Sequence, residues 1–205
     1  MSTPSETSIA NAALALLGER RINSLDESTK TARLMKETFD EVRDEVLRSY
    51  KWNFATKRAT IAADAVAPAW GFDYAYTLPT DYLGGLEIDN PGKYPYRNEG
   101  GKVITDIGSP LNIEYTSKVT DPLQMDVMFR QSLAAALAAK LAEAITGTNT
   151  KVKELEFIRD SKMKASKTTD GQEHSPRRIE SSGWLDSREE QGAVRRVPTG
   201  SGTPL

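Results

Sequence analysis

A block of short, glycine- and proline-rich segments divides this chain into three parts. Residues 68–110 include twelve glycines and prolines, and both residue types end helices and form turns. On either side of the block, apolar residues recur every three or four positions, which is typical of amphipathic helices. The chain is therefore predicted to form a helical body that is interrupted by a small β-rich insertion.

Two helices are predicted before the block. The first begins around Ser5 and ends at Gly18, a residue that readily terminates a helix. The second is capped by Ser28 or Thr29 and continues to about Tyr50. Its apolar side chains follow a heptad-like seam: Met35, Phe39, Val42, Val46 and Tyr50.

Two further helices are predicted after the block. One begins at about Pro122 and stops at Gly147, and the next is capped by Asn149 or Thr150 and runs to about Ala165. The apolar positions of the first recur every four residues: Phe129, Leu133, Leu137 and Leu141. Its alanine-rich flank would let a neighbouring helix approach closely.

Within the block, β-prone runs at residues 74–78, 83–88, 102–105 and 111–115 predict a small antiparallel sheet. The Gly100-Gly101 doublet predicts a tight turn between strands. The expected fold is α+β, mainly α: an antiparallel helical bundle with a small inserted antiparallel β-sheet and an extended C-terminal tail. The expected divisions are residues 1–54 and 118–166 for the helical body, 55–117 for the inserted β-rich lobe, and 167–205 for the extended C-terminal arm.

The arm is rich in serine, threonine, glycine, proline and charged residues, so we expect it to order only against a partner that supplies apolar burial. Trp184 and Leu185 are the predicted anchors, because buried aromatic residues contribute most of the energy at many interfaces. Arg177 and Arg178 are predicted to make flanking charged contacts.

The residue content predicts no catalytic, cofactor-binding or metal-binding residues, and hence no enzyme. The chain has no cysteine, and its single histidine, His174, lies in the polar arm, far from a framework that could orient it for nucleophilic catalysis. Thiolate metal sites are excluded. The glycine doublets do not match either phosphate-binding loop motif.

Two alternatives remain open. Glu37, Glu41 and Glu45 cluster on the second helix and, with Trp52, raise the possibility of a carbohydrate (cell-wall) hydrolase; interleaved basic residues favour a solvated face instead. The paired arginines of the arm raise the possibility of a nucleic-acid-binding module. The arm contains as many acidic as basic residues, and the chain has 27 basic against 29 acidic residues, so no overall positive field favours DNA.

Localisation is predicted from further features of composition. The first residues lack the basic and apolar regions of a signal peptide, and no run approaches the ~20 apolar residues of a membrane span. The lack of cysteine fits synthesis in a reducing cytoplasm. We therefore expect no membrane partner.

A series of short motifs follows in order along residues 5–165. They are ANAALALLG at 10–18 with Ile22 and SLD at 24–26, FDEVRDEVLR at 39–48, WNFA at 52–55, YTLPTDYL at 76–83, IEY at 113–115, and DP at 121–122 before Phe129 and the alanine-rich run 133–145. This order resembles the head-to-tail connector, or adaptor, proteins of short-tailed bacteriophages, including the tail tubular protein A type.

The resemblance implies a structural virion protein, made in the host cytoplasm and located in the neck or tail of the virion. It implies a ring of about twelve copies beneath the portal, with helices as its body and the β-lobe facing a neighbouring copy or the next tail component. The implied partners are the portal protein, neighbouring copies, a downstream tail or nozzle protein, and genomic DNA that passes through the channel without sequence recognition. The arm is expected to reach the portal or an adjacent copy.

Overall fold

A computed structural model describes residues 3–88 and 94–173 of the chain. The α+β class is confirmed: within these residues, α-helices flank six strands along the chain. The helices are α1 (Glu6–Leu17), α2 (Lys30–Arg48), α3 (Val127–Thr146) and α4 (Asn149–Gln172), and a short 3-10 helix covers Asn53–Ala55. The strands are β1 (Thr56–Ile61), β2 (Tyr74–Thr77), β3 (Tyr82–Ile88), β4 (Tyr96–Glu99), β5 (Lys102–Thr105) and β6 (Leu111–Ser117).

Local capping explains most helix ends. Ser5 accepts a hydrogen bond from the Ser8 amide at 3.1 Å, and Thr29 accepts one from Ala32, so side chains satisfy amides that lack helical partners. Gly18 adopts a left-handed φ of 79° after α1, which favours glycine. The predicted ends of α1 and the predicted start of α2 are confirmed.

Helix α3 lies at the centre of the helical body. It contacts α1, α2 and α4, and eleven of its twenty residues are buried. Phe129, Leu133 and Leu137 are completely buried, and small residues such as Ala134 and Ala138 fill the positions between them. α3 begins at Val127, later than predicted, because Asp126 accepts hydrogen bonds from two amides of the first turn.

The β-lobe, defined here as residues 56–117, contains two three-stranded antiparallel sheets, ordered β1-β6-β3 and β2-β5-β4. The prediction of a single small sheet is therefore wrong, because the strands form two sheets. All four predicted strands are present, but β1 and β4 were missed. Strand β1 has the sequence TKRATI, in which only Ala59 and Ile61 are apolar, and β4 is exposed throughout, so neither shows the run of apolar residues by which the other strands were predicted. Side chains from both sheets share a second apolar core: Tyr76, Leu78, Ile88, Val103, Leu111, Ile113 and Tyr115.

Helix α4 continues to Gln172, so the predicted end near Ala165 and the predicted start of the arm at residue 167 are wrong. Polar contacts stabilise this end of the helix, at Asp170 with Asn53 and at Ser166 inside the core. Ser166 Oγ lies 2.7 Å from Ser132 Oγ of α3 and donates to the Met128 carbonyl at 2.9 Å. Ser132 is therefore the donor in the serine pair, and both hydroxyls are satisfied inside the core.

Replacing Ser166 by alanine should lower the free energy of unfolding by about 1–3 kcal/mol, because the Ser132 hydroxyl would then be buried without its acceptor. Chemical denaturation of the two proteins measures the change. Ser161→Ala, at an exposed position of the same helix, is the matched control and should change stability by less than about 0.5 kcal/mol. Equal effects of both substitutions would contradict a role for the serine pair.

Candidate functional site

Trp52 closes the helical core where the helices meet the β-lobe, as its sequence position predicts. It is only 1% exposed, and its indole Nε1 donates to the Val46 carbonyl at 3.0 Å. Its ring packs edge-on against Phe129 with centroids 5.1 Å apart, and Phe54 contacts the same phenylalanine. Because the indole is enclosed, Trp52 is not available to stack on a sugar ring.

The carboxylates of the hydrolase hypothesis lie on the exposed side of α2. Glu37, Glu41 and Glu45 are all exposed, and Glu41 forms a loose ion pair with Lys140 of α3 at 3.5 Å. With Trp52 enclosed, these residues do not form a cleft around an aromatic platform.

The prediction that the basic residues of α2 lie on a solvated face is wrong for Arg43. Its side chain is only 2% exposed and pairs with carboxylates of α2 itself. Asp40 and Asp44 accept its hydrogen bonds at 2.7–2.9 Å. Asp44 also pairs with Lys118, which follows the last strand of the lobe, at 2.7 Å. Through Asp44, Arg43 therefore takes part in holding the helical body to the β-lobe.

The turn after α2 holds the end of α4. The Asn53 amide donates to the Asp170 carboxylate at 3.1 Å, and its side-chain nitrogen donates to the Asp170 carbonyl at 2.8 Å. Lys167 donates to the Ser49 carbonyl at 3.1 Å. These contacts set the place at which the chain leaves α4, and the sequence gives no sign of them because the partners are 117–118 positions apart.

Ion pairs and a buried hydrogen bond join the β-lobe to the helical body. Lys51 bridges Glu87 of β3, at 2.9 Å, and Glu114 of β6. Hydrogen bonds from Lys51 and Arg58 hold the pKa of the Glu114 carboxyl below its ordinary value. The buried Ser117 hydroxyl donates to the Ala55 carbonyl at 2.9 Å. Because these contacts join both parts, the lobe has a defined orientation on the helices.

Asp81, in the turn between β2 and β3, joins three parts of the lobe. It accepts from Lys57 of β1 at 2.6 Å and from the Tyr115 hydroxyl of β6 at 2.9 Å. The Lys57 hydrogen bond is the main reason that the pKa of Asp81 lies below its ordinary value. Burial, with the adjacent carboxylate, raises the pKa of Tyr115 to about 12.

These shifts predict a pH-dependent contribution to stability. A carboxyl with a lowered pKa stabilises the folded state above its unfolded pKa of about 3.9, and this contribution is lost as the pH falls through the folded value. Asp81→Asn should lower the free energy of unfolding by about 1–2 kcal/mol at neutral pH, and the difference from the wild type should shrink in acid. Denaturation at a series of pH values measures it. Asp160→Asn, at an exposed residue, is the control; a difference that is constant down to about pH 2 would contradict the prediction.

The most prominent candidate contact surface is the apolar loop, defined here as residues 62–73 between β1 and β2. Its Trp70 is 82% exposed and its Val66 is 76% exposed. Large exposed apolar groups that occur together mark interaction surfaces. The loop lines a cleft of about 580 Å³ against the β2-β5-β4 sheet, and Arg97, Glu99 and Lys102 contribute polar side chains to it.

The base of the apolar loop is held by hydrogen bonds, so the exposure of its tip is a property of the fold. The Asp64 carboxylate accepts from the Thr77 hydroxyl at 2.9 Å and pairs with Lys102 at 2.8 Å. The Asp64 amide donates to the Ala75 carbonyl at 2.8 Å. At the other end, the Asp73 amide donates to Asp106. The sequence signal for this surface is the run AVAPAWGF at 65–72, which combines apolar residues with turn formers; the sequence analysis did not single it out.

The predicted anchors Trp184 and Leu185, the flanking Arg177 and Arg178, and His174 lie outside the described residues. Their roles remain predictions. In residues 3–88 and 94–173, no group of three or more histidine, aspartate or glutamate side chains is arranged to hold a metal ion. Across the same residues, no helix has the length and apolar character needed to cross a membrane.

Comparison with known proteins assigns no family. A scan of the chain against protein-family models finds no match. A search of curated proteins also finds no significantly similar sequence.

Proposed function

We propose that this protein is a structural ring subunit at the head-to-tail junction of a short-tailed bacteriophage, and not an enzyme. The observation that carries the proposal is the apolar loop, a hydrophobic surface with a highly exposed tryptophan on a lobe that is firmly joined to the helical body. A surface of this kind suits a protein that acts by binding other proteins.

The positions of the connector-like motifs support the same proposal. Trp52 and Asn53 organise the junction of helices and lobe, and Asp81 and Tyr115 organise the lobe. These residues therefore stabilise the fold of the subunit. That is the role expected of motifs that are shared by ring subunits, because each subunit must keep the same shape to fit its neighbours.

In the proposed assembly, the helices form the body of the ring as an antiparallel bundle. The apolar loop contacts a neighbouring copy or the next tail component, and an extended C-terminal arm contacts the portal or a neighbour. Genomic DNA passes through the channel without sequence recognition, and the near-balance of 27 basic and 29 acidic residues suits a channel that does not retain it. The partners are the portal protein, neighbouring copies of the chain in a ring of about twelve, and a downstream tail or nozzle protein.

The test is the mass of the full-length protein, alone and mixed with the portal ring of its phage, by native mass spectrometry or mass photometry. We expect many copies to add to each portal ring, or a large homo-oligomer to form without it. A protein that stays monomeric at micromolar concentration and does not bind the portal would overturn the proposal.

A further inference from the structure

Strand β4 is an open edge of the β2-β5-β4 sheet. Within the described residues it pairs with β5 alone, and all four of its residues are exposed. An open edge presents unpaired amides and carbonyls, and it can add a strand from another chain. We propose that two copies of this chain pair through antiparallel β4 strands, related by a two-fold axis at Asn98. The inference goes beyond the ring proposal and does not depend on it.

The side chains of β4 alternate between two faces. Asn98 donates to the Tyr82 hydroxyl at 2.8 Å, and the Tyr96 hydroxyl donates to a carbonyl of β3 at 3.0 Å, so both side chains point towards β3. Arg97 and Glu99 lie on the other face, where they line the cleft of the apolar loop. Their side chains are 67% and 57% exposed, so a second strand can reach them.

The geometry of the β4-β5 hairpin decides which backbone groups of β4 are open. Glu99 and Lys102 close a two-residue turn, so these two residues are hydrogen-bonded to each other. Hydrogen-bonded and non-hydrogen-bonded pairs alternate along an antiparallel ladder. The amide and carbonyl of Asn98, which lies opposite Val103, therefore point away from β5. These are the groups through which a further strand can pair.

One two-fold register at this edge sets opposite charges against each other. With the axis at Asn98, the two Asn98 residues exchange backbone hydrogen bonds, and Arg97 of each copy lies opposite Glu99 of the other. A shift of two residues in either direction places arginine opposite arginine or glutamate opposite glutamate. Opposite charges at facing positions stabilise a strand pair, and like charges destabilise it. The charges of β4 are therefore self-complementary in this register.

Arg97 and Glu99 are only loosely paired within the described chain. They contact each other along the strand at 3.6 Å. Lys102 lies opposite Glu99 on β5, but it pairs with Asp64 at 2.8 Å. A second copy would offer both charges a facing partner of opposite sign.

A two-fold contact differs from a ring contact. It uses the same surface on both copies, whereas a ring is closed by contacts between two different surfaces. The β4 edge also adjoins the apolar loop, because Arg97 and Glu99 line the cleft of that loop. The inferred dimer is therefore a form of the free subunit, in which the exposed apolar surfaces of two copies lie beside one contact.

Charge exchange tests the inference by sedimentation equilibrium of the full-length protein at micromolar to submillimolar concentrations. The wild type should show an equilibrium between monomer and dimer. Arg97→Glu sets glutamates against each other and Glu99→Arg sets arginines against each other, so each variant should raise the dissociation constant at least about tenfold. Mixing the two variants restores opposite charges at both facing positions and should restore the dimer. Lys153→Glu, at an exposed position of α4, changes the net charge as Arg97→Glu does and should leave the constant unchanged.

A wild type that is monomeric throughout this range, or that forms larger oligomers without a dimer, would overturn the inference. A dissociation constant that neither β4 substitution changes would do the same. So would an equal effect of Lys153→Glu, or a loss of dimer in both variants that mixing does not reverse. Each of these results would leave the ring proposal standing, because the mass measurement with the portal tests it separately.

Discussion

Replacing Trp70 by alanine is expected to weaken the binding of the subunit to its ring partners by about 30-fold or more, the loss typical of an interface hot spot. The free energy of unfolding should change by less than about 0.5 kcal/mol, because an 82% exposed side chain contributes little to folding. Mass photometry across a concentration series with the portal measures the first quantity, and chemical denaturation measures the second.

Phe157→Ala is the matched control for this substitution, since Phe157 on α4 is 76% exposed but lies outside the apolar loop. It should leave assembly unchanged. If the Trp70 variant assembles normally and the Phe157 variant does not, the contact surface lies on α4 and not on the apolar loop.

Replacing Trp52 by alanine is expected to lower the free energy of unfolding by about 3–5 kcal/mol. The indole is buried between Tyr50 and Phe129, with ring centroids 5.1 Å from each, and its removal leaves a cavity and breaks the bond to Val46. Domains of this size have about 5–15 kcal/mol of stability, so the variant would be close to unfolding at physiological temperature.

Urea denaturation measures the Trp52 effect, with Trp70→Ala as a control that removes the same side chain from an exposed position. The two tryptophans thus separate a folding role from a binding role. A loss below about 1 kcal/mol for Trp52→Ala would contradict its role as the centre of the junction. A loss of several kcal/mol for Trp70→Ala would contradict the description of the apolar loop as a pure contact surface.

Features encoded over a few neighbouring residues could be predicted from the sequence. The caps at Ser5 and Thr29 and the stops at Gly18 and Gly147 occur where local rules place them, because a cap needs partners only three or four residues away. The hairpin turn at Gly100-Gly101 follows for the same reason: both residues have positive φ, and β4 pairs with β5 directly across them.

The candidate contact surface was only partly accessible from the sequence. The run at residues 65–72 is apolar, and apolar residues are buried more often than exposed, so its exposure could not be inferred from composition. The hydrogen bonds of Asp64 to Thr77 and Lys102 hold the loop outward, and these partners are brought together only when the strands pair. By contrast, Trp52 was correctly predicted to close the core.

The sequence was sufficient for the class of the fold, the order of its helices and the position of the β-rich insertion, since these depend on periodicity and on glycine and proline. Tertiary contacts decided the rest. The division of the strands into two sheets depends on which partners β5 and β6 select. The extension of α4 to Gln172 depends on two contacts between residues far apart in sequence: Ser166 with Ser132, 34 positions away, and Asp170 with Asn53, 117 positions away. From the sequence alone, a polar residue is predicted to be exposed to solvent. It can be buried only where another group satisfies its hydrogen bonds, and that group is brought near it only when the chain folds.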